Sequence, residues 1–93
     1  MALFLVQGSC KEYDEDEWAW VAWAFADEAS AMQHCIALNK LYRELAESAS
    51  HDELYDADAT IWEPIKKLDK QFCGGFANIG YSVVKILAPD NII

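Results

Sequence analysis

Trp18-Ala19-Trp20-Val21-Ala22-Trp23-Ala24-Phe25-Ala26-Asp27-Glu28-Ala29 decides how this 93-residue chain folds, because two secondary-structure periods meet inside it. Residues 18–25 are aromatic, β-branched or small, with no charge, Gly or Pro among them, the composition of a pleated strand. Alternation puts Trp18, Trp20, Ala22 and Ala24 on one face and Ala19, Val21, Trp23 and Phe25 on the other. Asp27 then suits a helix N-cap, and Glu28 suits the positive end of the helix dipole. Ala29, Met32, Ile36, Tyr42 and Leu45 recur at helical spacing, with Cys35 and Leu38 widening the stripe. The spacing therefore predicts a long helix to Glu47, fraying at Ser48-Ala49-Ser50, with Gln33, Lys40, Glu44 and Glu47 largely off the stripe.

Working outward, Ala2 to Gln7 is a continuous apolar run ending at Gly8-Ser9, and its uniform hydrophobicity suits a central strand. Lys11 to Glu17 contains Glu12, Asp14, Glu15, Asp16 and Glu17, whose mutual repulsion predicts a solvated loop joining two strands. On the far side of the long helix, Ser50-His51-Asp52-Glu53 is a capping box predicting a short helix to about Ala57. Thr60-Ile61-Trp62-Glu63 is a second such box, with Pro64 in the first turn and Ile61, Ile65, Leu68 and Phe72 on one stripe. Gly74-Gly75 supplies its stop. Tyr81 to Leu87 alternates as a last strand, closed by Pro89-Asp90-Asn91. The expected fold is a single α+β domain spanning 1–93, a small three-stranded antiparallel sheet in β-β-α-α-α-β order. The helices pack on one face and the first strand lies between the other two.

Composition narrows the function. A hydrophobic fraction of 54% supports a folded core and argues against disorder. The net charge of −9 is concentrated before residue 64, where 14 acidic and 3 basic side chains give −11, whereas 64–93 carries 2 and 4, giving +2. A chain with no basic footprint is not expected to bind DNA or RNA directly. The same charge either keeps an aromatic-rich protein in solution or steers it to a basic partner, such as a nucleic-acid-binding protein.

No catalytic motif is present. Gly74-Gly75 lacks the Lys-Ser/Thr of a phosphate loop, and His34 and Cys35, adjacent on a helix, point about 100° apart. Cys10, Cys35 and Cys73 form no CxxC pair, and the acidic clusters lack the Gly and terminal Glu of a calcium loop. Neither an enzyme activity, a metal nor a cofactor is expected. Met1 to Val6 lacks a basic leader and is far too short to span a bilayer, so a cytoplasmic setting with reduced thiols is expected.

The remaining signal is aromatic and acidic together. Candidate partner-binding residues are Glu12, Asp14, Glu15, Asp16 and Glu17, then Asp52, Glu53, Asp56 and Asp58. Trp18 and Trp20, beside the acidic loop, are candidate anchors, or else they pack beneath the helices. A second reading is self-association, a homodimer formed through an apolar strand face.

Val21-Ala22-Trp23-Ala24-Phe25-Ala26-Asp27-Glu28-Ala29 and Tyr81-Ser82-Val83-Val84-Lys85-Ile86 carry a resemblance in pattern. Strand, loop, aromatic-ended strand, Asp-Glu-Ala-capped helix and closing strand together resemble small bacteriophage accessory proteins, a group that includes anti-CRISPR inhibitors of host defence. The resemblance implies an acidic surrogate for nucleic acid that occupies a basic channel of the host machinery, acting in the host cytoplasm. It transfers no individual functional residue.

Overall fold

A computed structural model describes residues 2–10, 18–72 and 79–87. Strand β1 (Ala2–Cys10) is central in a three-stranded antiparallel sheet of order β2-β1-β3, flanked by β2 (Trp18–Phe25) and β3 (Ile79–Leu87). The helical elements are α1 (Glu28–Ser48), α2 (His51–Leu54), a 3-10 turn (Thr60–Trp62) and α3 (Glu63–Leu68). Helix α1 crosses all three strands on one face, so the α+β layering expected from the sequence is the one observed. The Lys11–Glu17 segment with Glu12, Asp14, Glu15, Asp16 and Glu17 lies outside the described residues, as do Cys73, Gly74-Gly75, Pro89-Asp90-Asn91 and the Trp18 side chain.

Two strand details depart from the periodic reading. Strand β1 continues through Gly8-Ser9 to Cys10, because Gly8 is a contact position and not a turn. A Cβ on Gly8 would lie 2.5 Å from Trp20 Cε2 and Cζ2, so the indole lies directly over the bare backbone. Gly8→Ala is expected to cost about 1–3 kcal/mol through displacement of this ring. Urea unfolding followed by tryptophan fluorescence would measure it, and an unchanged midpoint would remove the steric requirement.

The second departure is a bulge. Val6 pairs with Trp23 and Gln7 with Val21, which leaves Ala22 as the extra residue on β2. Strict alternation fails there, since directly opposed residues share a face. Phe25 pairs with Phe4 and Trp20 with Gly8, so Phe25 joins Trp20 on the helix side, and Ala24 leaves it. The Phe25 ring lies 5.4 Å from the His34 ring of α1.

Helix α1 begins where expected: the Asp27 carboxylate accepts from Ser30 N at 2.7 Å. That bond holds the Asp27 carboxyl below its ordinary pKa. A depressed carboxyl supports the helix start fully above the ordinary carboxylate range and loses that support as pH falls through it. The buried line, however, is Ala31, Cys35, Leu38 and Tyr42. Ala29, Met32 and Ile36, expected on the packed stripe, are exposed, Ile36 at 61%. The helix is turned so that small Ala31 is fully buried while the longer Met32 and Ile36 face water.

The Ser50 box forms as expected: Ser50 Oγ accepts from Glu53 N at 3.2 Å and Glu53 Oε1 accepts from Ser50 N at 2.9 Å. Its helix is a single turn. The Thr60 box does not form; Thr60 opens a 3-10 turn without a side-chain cap, and Trp62 leads directly into α3 with Pro64 in the first turn. Helix α3 ends at Leu68, before the expected glycine stop, because Asp69 turns to an extended conformation and enters the core. Ile65 and Phe72 are buried as expected, while Leu68 is left exposed.

The core joins Phe4, Val6 and Cys10 of β1 to Leu38 and Tyr42 of α1, to Trp62, Ile65 and Phe72, and to Ile79 and Tyr81 of β3. Asn39 ties α1 to the edge of the sheet: its Nδ2 donates to Tyr81 O at 3.0 Å, and Tyr81 N donates to its Oδ1 at 2.9 Å. A side-chain amide thus takes the place a further strand would occupy at Tyr81 and closes β3 to pairing at that point.

Candidate interaction surfaces

Asp52, Glu53, Asp56 and Asp58 share one short spur between α1 and α3. Its shape is set from beneath by Trp62, whose Nε1 donates to Glu53 O and Asp56 O, each at 3.1 Å. Lys66 Nζ donates to Ala57 O at 3.1 Å, and Asp58 N donates to Asp56 Oδ1 at 3.0 Å. These bonds satisfy backbone groups at the end of α2 and in the irregular segment that follows it. Asp52, Asp56 and Asp58 are exposed, whereas Glu53 is half-buried and its carboxylate is engaged in the cap. The spur therefore presents three carboxylates on a backbone held in one shape. Among the described residues, no three His, Cys, Asp or Glu side chains converge in a way that would hold a metal.

Trp20 is directed inward. Its Nε1 donates to Asp69 Oδ2 at 2.8 Å, and its ring meets Tyr81 edge-on at 6.2 Å. Tyr81 OH donates to the same Oδ2 at 2.8 Å, and Gln71 N donates to Oδ1 at 3.0 Å. Burial and the Asp69 carboxylate beside it push the Tyr81 hydroxyl far above the ordinary tyrosine pKa. Asp69 is fully buried, and the three donors satisfy it. Trp20 thus joins β2 to the end of α3, with its indole N–H directed to Asp69 and not to the spur. Among the described tryptophan side chains, Trp23 is the one with open surface, 50% exposed at the β2 edge.

The sequence reading missed Asp69. One signal pointed to it: Asp69 is a lone acid between Glu63 and Asp90, set among Lys66, Lys67 and Lys70, unlike the clustered acids elsewhere.

The face of the sheet opposite α1 carries Leu3, Leu5, Gln7 and Ser9 from β1, and Ala19, Val21 and Ala24 from β2. Gly80, Ser82, Val84 and Ile86 from β3 complete it. None of these side chains is charged. Leu3, Val21, Val84 and Ile86 are between 37% and 45% exposed, and a Cβ on Gly80 would meet nothing within 4 Å. An antiparallel sheet facing water ordinarily carries polar side chains there, and this one carries mostly aliphatic ones.

His34 and Cys35 are not arranged for catalysis. His34 Nε2 lies 3.0 Å from Leu68 O, and burial pushes the Cys35 thiol up, which disfavours the nucleophilic thiolate. A groove of about 420 Å³ between α1 and the start of β3 is lined by Asn39, Tyr42, Arg43, Ala46, Glu47 and Ile79. No helix among the described residues is long and apolar enough to cross a membrane.

No protein-family model, curated protein or solved structure matches the chain.

Proposed function

We propose that this chain is a non-enzymatic interaction protein that engages a basic, nucleic-acid-handling partner and inhibits or modulates it. Such a partner would be of the kind exemplified by a CRISPR-Cas effector, as the resemblance to phage accessory inhibitors implies. The observation that supports this most is the spur: Asp52, Asp56 and Asp58 exposed on a backbone fixed by Trp62 and Lys66. Carboxylates whose positions are set before binding lose less conformational freedom on docking, so more of their Coulomb attraction survives as affinity. The net charge of −9 adds long-range steering toward a basic surface. The Lys11–Glu17 acids belong to the same reading, as extra charge, and Trp18 remains its candidate anchor.

The test is retention of basic nucleic-acid-binding proteins from a bacterial lysate by the immobilised wild type and by D52K/D56K/D58K. The wild type is expected to hold them at low salt and release them by about 0.5 M salt, where screening shortens to a few ångströms. The triple variant is expected to retain at least tenfold less. Equal retention by the two proteins excludes the spur, and retention indifferent to salt excludes the electrostatic reading. Inhibition is then assayed directly, as loss of nucleic-acid binding by the purified captured protein.

A further inference from the structure

The sheet face opposite α1 is not used by the spur, and its chemistry is of the opposite kind. Leu3, Leu5, Val21, Ala24, Val84 and Ile86 form a continuous aliphatic surface across all three strands, with no charged residue on that face in the described strands. We infer that this face packs against the same face of a second copy of the chain, forming a weak, reversible two-fold dimer with the helices outermost.

Charge selects the occupant. Two copies of a chain with net charge −9 repel each other over most approaches. They can meet closely only where neither brings a carboxylate into the contact, and the described part of this face meets that condition. A basic partner would find no carboxylate there to pair with, so the spur and the sheet face address different partners. Shape agrees, since two sheets stack at about 10 Å with side chains interdigitated. The result would be a four-layer helix–sheet–sheet–helix particle.

Area sets the strength. Strands of 9, 8 and 9 residues at about 3.3 Å per residue, lying about 4.8 Å apart, give roughly 30 by 14 Å, or about 420 Å² projected per copy. Corrugation of the side chains raises the buried total to about 1,000 Å² for the pair, below the 1,200–2,000 Å² of stable complexes and within the weak, transient class. The dimer should therefore form at high micromolar concentration and dissociate on dilution.

Sedimentation velocity and light scattering from about 10 µM to about 1 mM test this in the full chain. The wild-type mass is expected to rise from the monomer value of 10.5 kDa toward twice that value and no further. Adding salt should strengthen the association by screening the repulsion between copies, the reverse of its effect on a basic partner, so this proposal and the spur reading can fail separately. Val84→Lys and, on the opposite edge strand, Val21→Glu each place charge at an exposed position of the face. Each is expected to weaken dimerisation at least tenfold while leaving the circular dichroism spectrum unchanged. A wild type that stays monomeric to about 1 mM overturns the proposal and leaves the face to an unlike partner. It is equally overturned if both variants dimerise as the wild type does, or if the mass climbs past the dimer, since two-fold pairing closes.

Discussion

Asp69→Ala is expected to lower the free energy of unfolding by about 3–5 kcal/mol, a large part of the 5–15 kcal/mol typical of a domain. The side chain is fully buried and receives three hydrogen bonds from three places in the chain: Trp20 on β2, Tyr81 on β3 and Gln71 just beyond α3. Truncation leaves an indole N–H, a phenol O–H and a backbone N–H without their acceptor, at about 1–3 kcal/mol for each donor that stays buried and unsatisfied. Some relief comes from water entering the vacated space, which is why the total falls below the sum. Asp69→Asn separates the acceptor role from the volume. One oxygen can still accept from Trp20 and Tyr81, but the amide then opposes Gln71 N–H donor to donor, and the expected loss is about 1–2 kcal/mol. Tyr81→Phe removes one donor and should fall in the same range. Urea unfolding read by tryptophan fluorescence suits all three, because Trp20 is itself a partner in the cluster. If Asp69→Ala unfolded within about 1 kcal/mol of the wild type, the cluster would not hold the sheet to α3. Capture of basic proteins by the folded fraction should be unaffected, since Asp69 supports the core and is hidden from any partner.

Trp62→Ala carries a comparable loss, about 3–5 kcal/mol, for a different physical reason. Trp62 is fully buried, stacked on Tyr42 with ring centroids 5.8 Å apart and planes 10° from parallel, and tilted against Phe72 at 5.4 Å. Its removal opens a cavity between Tyr42 of α1 and Phe72 beyond α3. The more informative variant is Trp62→Phe, which keeps most of the stacking and deletes only the Nε1 bonds to Glu53 O and Asp56 O. Its stability loss should be about 1–2 kcal/mol. Amide exchange in residues 53–59 should quicken more than exchange in β1, because the spur loses its underpinning while the core does not. The same variant should weaken capture of a basic partner with no change in net charge, which a purely Coulombic spur would not do. Unchanged exchange across 53–59 would show that the spur holds its shape without Trp62.

How far the sequence reached can be followed element by element. The apolar Ala2–Gln7 run pointed to the central strand, and β1 is central, although it buries only the Phe4 and Val6 side and leaves Leu3 on the open face. Asp27 and the Ser50 box marked helix starts because an N-cap joins a side chain to a backbone N–H two or three residues away, a relation contained within the local chain. The acidic spur was visible as charge, but its posture was not. Trp62 Nε1 reaches carbonyls six and nine residues back, a distance at which no periodicity operates.

The sequence by itself determined the α+β layer architecture and pointed to a central first strand, since both follow from local periodicity and composition. Tertiary structure alone decided which apolar residues are used inside. It turned Ala31 inward beside the expected Cys35, Leu38 and Tyr42 and left Met32 and Ile36 in water, since all of them are apolar and the sequence pattern does not rank them. It placed Ala22 in a bulge, which carried Phe25 to the helix side, and it seated Trp20 over Gly8. It also drew Asp69 out of its helix to meet donors 12 and 49 residues away. A buried carboxylate must find its partners wherever the fold brings donors together, and local sequence does not record that place.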